Sequence, residues 1–131
     1  MGNYGKIIGN GLIYLEDIMT EKEIKASYAY YMKKFEENKD LGQFMAKITY
    51  QQIFNPKFLK ANSKWNSIDE MIYGGGFGIM SLGEVPNVNQ DKWDAYIQRN
   101  TKCSGWFIFG KLAMIEWMKE TIRFVEESKK M

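Results

Sequence analysis

The sequence has no histidine and only one cysteine, Cys103, among 131 residues. Without imidazole the commonest general base is missing, and no Ser-His or Cys-His nucleophilic pair can be assembled. The same shortage excludes a zinc site built from histidine and cysteine. A lone thiol cannot close an intramolecular disulfide, so a reducing compartment is expected, with the cytoplasm as the default. Arginine is nearly absent as well: Arg99 and Arg123 are the only two. Specific phosphate and guanine contacts favour the planar guanidinium fork, so this scarcity counts against nucleic-acid readout. Long apolar runs are also lacking. The longest, from Trp106 to Met118, is broken by Lys111 and Glu116 and is too short to cross a bilayer. No basic, apolar and small-residue succession marks a signal peptide. The start Met1-Gly2-Asn3-Tyr4-Gly5-Lys6 imitates a myristoylation site, but Lys6 stands where Ser or Thr is required.

What remains is the mix of a globular protein, 45% apolar and 26% charged, with a net charge of only +2. At 15.3 kDa the chain is long enough for one domain, read as residues 1–131 with an arm over 1–17 and a helical core over 18–131. Aromatic residues make up 15% and there are nine methionines. Each aromatic side chain buries roughly 150–250 Å², so these residues dominate either the core or an interface.

The expected fold is mainly α, with about five helices packed around a buried C-terminal helix. Asn10-Gly11 between apolar pairs is a hairpin signal, because both residues tolerate positive φ; the region reads as a short β-hairpin or a tucked arm. Thr20-Glu21-Lys22-Glu23 is a capping box, and Ile24, Tyr28, Tyr31 and Phe35 repeat on one face behind it, predicting a helix over 20–37. Asp40 is expected to cap a second helix running on toward Ile53. Asn55-Pro56 begins a short turn of helix through Ala61, and Ser67-Ile68-Asp69-Glu70 opens another to about Tyr73. Gly74-Gly75-Gly76 is read as its left-handed stop. Residues 77–88 show no helical pattern and are read as irregular chain or one strand. Asn89 caps a helix facing inward with Trp93, Tyr96 and Ile97, and Ser104 precedes the longest helix, over about 105–128. The first turns of that helix are apolar on nearly every side, so they are expected to be surrounded by protein, with the tail at the surface.

A faint internal echo links two segments. Phe58-Leu59-x-x-Asn62-Ser63-Lys64 resembles Tyr96-Ile97-x-x-Asn100-Thr101-Lys102 at an offset of 38 residues (58 to 96), each before a capped helix. Duplication and coincidence both account for it.

Few residues suggest chemistry. Cys103 precedes a helix start, where a thiol can be activated, but a buried structural cysteine is the plainer reading. The Asp91/Asp94 and Glu116/Glu120 pairs have same-face helical spacing, as solvated faces commonly do, and no further ligands accompany them. The glycine run lacks the lysine and following helix of a phosphate loop. No catalytic residue, metal or cofactor is assigned. Lys57, Lys60 and Lys64, interleaved with Phe58 and Trp65, resemble a small nucleic-acid surface that stacks bases and pairs phosphates. The surplus of apolar side chains, with Trp65, Phe77, Met80 and Trp93 as the candidates, points instead to a protein-contact surface. The expected function is therefore a non-enzymatic protein–protein or self-associating module without membrane contact. A lysine-based nucleic-acid binder is the alternative, and a carboxylate site near Glu116 and Asp94 the third reading.

Overall fold

A computed structural model of the chain describes residues 19–130 and, for residues 5–8 and 11–14, the backbone alone. The expected Asn10-Gly11 turn falls partly outside the described residues, as does most of the 1–17 arm. The fold is mainly helical. Seven α-helices and one 3-10 helix are present among the described residues, more than the five expected.

Helix α1 (Glu21–Glu37) starts on the capping box read from the sequence. The Glu23 amide donates to Thr20 Oγ1 at 3.1 Å, and the Thr20 amide donates to Glu23 Oε1 at 3.1 Å. Accepting from the Thr20 amide first, and then from the Thr20 side chain, holds the Glu23 carboxyl below its ordinary value. Of the predicted stripe, Ile24 and Phe35 are buried, and Tyr28 and Tyr31 are half-buried between them.

The single helix expected to run from Asp40 toward Ile53 is two helices. Asn38, not Asp40, caps α2 (Lys39–Met45): its Oδ1 accepts from the amides of Asp40 and Leu41 at 2.9 and 3.2 Å. The chain then breaks and restarts at α3 (Tyr50–Ile53) on a second capping box, in which Thr49 and Gln52 satisfy each other's amides at 3.2 and 2.9 Å. Helix α4 (Pro56–Asn62) begins as predicted, with Asn55 accepting from the Phe58 amide and Pro56 in the first turn. Helix α5 (Ile68–Tyr73) is capped by Ser67.

Helix α5 stops at the glycine run as expected, with the left-handed conformation displaced from the cap itself. Gly74 stays right-handed at φ −68°, and the left-handed glycines are Gly76 (φ 69°) and Gly78 (φ 74°). Gly74 is small for a different reason: a Cβ there would lie 2.5 Å from the Glu70 carbonyl oxygen and 3.0 Å from Tyr96 Oη. The segment read as irregular or strand-like contains the 3-10 helix Leu82–Asn87 instead. It is held by Glu84, whose carboxylate accepts from the Met80 and Ser81 amides at 2.7 and 3.0 Å, and it buries Leu82 and Val85.

Helix α6 (Gln90–Asn100) turns Trp93, Tyr96 and Ile97 inward as predicted. Helix α7 (Trp106–Ser128) begins after Gly105 without a local side-chain cap; the carboxylate of Asp94, on α6, accepts from the Trp106 amide at 2.9 Å and supplies that function. Ser104 hydrogen-bonds to Glu21 rather than capping α7. Ile108, Phe109, Leu112, Ala113 and Ile115 fill the main core around Trp93 and Met71. A smaller cluster, Phe35, Leu41, Met118 and Val125, closes the end formed by α1, α2 and α7. The first turns of α7 are not covered all round, because Phe107 is 66% exposed.

The echo is a structural repeat. In the first turn, Asn62 Nδ2 donates to the Phe58 carbonyl at 3.0 Å, Ser63 Oγ donates to the Leu59 carbonyl at 2.7 Å, and the Trp65 amide donates to Ser63 Oγ at 3.1 Å. In the second, Asn100 Nδ2 donates to the Tyr96 carbonyl at 2.8 Å, Thr101 Oγ1 to the Ile97 carbonyl at 2.9 Å, and the Cys103 amide to Thr101 Oγ1 at 3.0 Å. Ser63 (φ −151°, ψ 179°) and Thr101 (φ −138°, ψ 179°) share one extended conformation and face each other in an antiparallel bridge. Equivalent residues opposed in antiparallel are what a local two-fold relation produces. The helices that follow, α5 and α7, also begin 38 residues apart (Ile68 to Trp106).

Candidate functional site

The four residues predicted to form a contact surface do not form one. Trp65 is 6% exposed and Trp93 is fully buried; both are core residues. Phe77 is half-buried with its ring 5.2 Å from that of Trp93 and 5.5 Å from that of Tyr96. Met80 alone is open, at 75% exposure. Aromatic packing wins here because these large rings supply much of what a small core can bury.

Lys57, Lys60 and Lys64 are exposed as expected, but Phe58 and Trp65 point into the core, so no ring is left among them for a base to stack on. Lys57 also shares a depression of about 150 Å³ with Glu116 and Glu120. That juxtaposition of opposite charges weakens the surface for a polyanion.

Three of the four candidate carboxylates are already engaged. Asp94 caps α7, and Glu116 and Glu120 pair with Lys119 and Arg123 at 3.8 and 3.0 Å. Glu116 lies ten residues beyond the Asp94 contact, about 15 Å along α7, so the two carboxylates cannot serve one reacting group. No cluster of three metal-ligating side chains occurs among the described residues. Burial pushes the Cys103 thiol up to about 11, with Lys102 pulling weakly the other way, so the neutral thiol prevails at neutral pH. This thiol lines a cleft of about 260 Å³ with an apolar floor of Ile24, Ile108 and Leu112.

The surface with a distinct chemical character lies elsewhere, where α2 and α3 meet the second half of α7. Phe44, Trp117 and Phe124 line a groove of about 510 Å³ together with Lys47, Gln52, Glu120 and Thr121. The Phe124 ring meets that of Phe44 edge-on at 6.0 Å and is 59% exposed, while Trp117 is steadied by Phe35 at 5.6 Å. Helices α2 and α3, separated by the Thr49 restart, both pack on α7 and bring Phe44 and Gln52 to the groove. Sequence reasoning places Phe44 in a buried stripe and passes over Phe124. The spacing of Trp117, Thr121 and Phe124 at i, i+4 and i+7 is the available signal, a second stripe beside the buried Met118 and Val125.

A second exposed ring, Phe107, is partly screened by Lys111, whose Nζ sits 3.6 Å from the Tyr28 ring centre and 4.4 Å from that of Phe107. No helix among the described residues is long and apolar enough to cross a membrane. Set against family models, curated proteins and solved structures, the chain matches none.

Proposed function

We propose that this protein is a non-enzymatic helical module that acts by self-association, with the Phe44–Trp117–Phe124 groove as its contact surface and the cytoplasm as its compartment. The groove carries the reading. Three aromatic rings share one open concavity, and clustered aromatic side chains at an open surface supply the anchors of protein interfaces. A second copy is the favoured occupant because the lining carries both Lys47 and Glu120, opposite charges that an identical surface also presents. A net charge of +2 sets up little repulsion between copies. The single thiol, without a partner cysteine, supports a reducing compartment. In this reading residues 5–8 and 11–14 pair as a hairpin, supported by the backbone register of Gly5 opposite Tyr14 and Ile8 opposite Gly11.

Sedimentation velocity over a wide concentration range tests the proposal. The native chain is expected to dimerise. Phe124→Glu should weaken association about thirtyfold or more, the loss typical of an interface hot spot. Because Phe124 is already open to solvent, the thermal midpoint of the variant monomer should hardly move. A native chain that stays monomeric at the highest concentrations overturns the reading.

A further inference from the structure

The three rings of the groove offer too little surface to hold two copies together by themselves. Phe124 is 59% exposed, and Phe44 and Trp117 are half-buried. Of the roughly 150–250 Å² that each ring can bury, the three together therefore still offer on the order of 200–300 Å². A stable interface takes about 800 Å² from each partner. The contact must spread beyond the groove, and the surroundings of Trp117 give the direction. Resting on the self-association reading, we infer that the contact surface continues past Trp117 onto α4, so that the indole is its central anchor and Ala61 is part of the patch a second copy covers.

Trp117 and Glu120 line the groove and also a second depression, of about 150 Å³, whose lining includes Lys57, Phe58 and Ala61 of α4. On α7, Glu116, Trp117, Glu120, Thr121 and Phe124 stand at i, i+1, i+4, i+5 and i+8, one stripe about 12 Å long. The facing segment runs the other way along it. Phe44 of α2 meets Phe124 in the second half of α7, while Phe58 of α4 lies against Phe109 in the first half. The two depressions thus form one furrow, with Trp117 between them. The indole also has the support an anchor needs. The buried Phe35 holds its ring at 5.6 Å, so little side-chain freedom is left to lose when a partner covers it. The furrow carries Lys47 and Lys57 together with Glu116 and Glu120, a mixed lining that suits another near-neutral copy of the chain.

Ala61→Glu and Ala61→Arg, read by sedimentation equilibrium, test the extension. Both place a long side chain in the second depression, with opposite charge, and a contact that covers position 61 must desolvate either one. Both should therefore weaken self-association on the order of tenfold. Position 61 is exposed on a short helix, so the variant monomers should keep the native thermal midpoint. Lys60→Gln, adjacent in sequence but outside the depression, should associate as the native chain does. If the native chain dimerises and Phe124→Glu weakens it, but both variants at 61 dimerise normally, the groove reading stands and its extension onto α4 falls. A loss with only one sign of charge, or an equal loss with Lys60→Gln, also overturns the extension, because covering Ala61 disfavours both long side chains and spares position 60. A native chain that stays monomeric overturns both readings.

Discussion

The Ser63 turn and the Thr101 turn have the same backbone and the same three side-chain hydrogen bonds, yet they carry different loads. Position 65 holds tryptophan, whose ring packs 5.2 Å from Tyr96 and 6.1 Å from Phe109; the equivalent position 103 holds cysteine. The helices that follow diverge in the same way. Helix α5 ends after six residues at Gly74, where Tyr96 Oη presses too close for a Cβ, whereas α7 passes the equivalent position with buried Leu112 and runs for 23 residues. The polar skeleton of the repeat is thus retained where hydrogen bonds must be satisfied, while the apolar side chains differ according to which part of the core each copy fills. Buried donors and acceptors leave few options, since an unpaired one costs about 1–3 kcal/mol, whereas apolar volume can be supplied by many residues.

Truncating the two equivalent positions breaks this comparison most sharply. Trp65→Ala removes a ring of the first turn that packs on the second half of the repeat, and should cost about 3–5 kcal/mol, with a large drop in the denaturant midpoint. Cys103→Ala removes one small sulfur atom from the same place in the other turn and should cost about 1 kcal/mol. Equal losses at the two sites would show that the turns are loaded alike.

The second contrast is chemical. Only the Thr101 turn holds a titratable group at this position, and burial raises it from 9.0 to about 11. Below pH 9 the thiol is neutral in both folded and unfolded chain, so its contribution is complete. Between pH 9 and 11 the unfolded chain releases the proton and the folded chain keeps it, so stability falls as pH rises, by about 2–3 kcal/mol across the window. Tyr96, which donates to the Met71 carbonyl at 2.7 Å, is also raised by burial and acts with the same sign. Denaturant titrations of the native chain and Cys103→Ala at pH 8 and pH 11 separate the two groups. The variant should lose clearly less on going alkaline, and parallel losses would remove the thiol from the account.

Local signals in the sequence locate most helix starts, because a cap is satisfied within three residues and owes nothing to the rest of the fold. Thr20, Asn55, Ser67 and Asn89 all cap where their spacing predicts. The same logic contains the α2–α3 break, since Thr49 and Gln52 form a capping box, but the stripe of Leu41, Phe44, Met45 and Ile48, resumed at Ile53, masks it. The cap on α7 is not legible, for the physical reason that it comes from Asp94, twelve residues away on another helix. The contact surface is misplaced for a related reason. Aromatic identity says that a side chain must find cover, not whether its own chain or another supplies it, so buried Trp65 and Trp93 read the same as open Phe124.

The finest test of the comparison is the pair of hydroxyls at its centre. Ser63 and Thr101 are 5% and 7% exposed, and each both donates to a helix carbonyl and accepts an amide two residues on. Ser63→Ala strands the Trp65 amide and Thr101→Ala strands the Cys103 amide. Each should therefore cost about 1–2 kcal/mol by equilibrium unfolding. The exchange Ser63→Thr with Thr101→Ser moves one methyl group across the bridge, keeps all four hydrogen bonds and should shift stability by less than either alanine substitution. A repeat that is equivalent in energy as well as in geometry requires the two alanine losses to agree within about 0.5 kcal/mol. If one hydroxyl matters and the other does not, the resemblance between the turns is one of shape alone, and the bridge is held from one side.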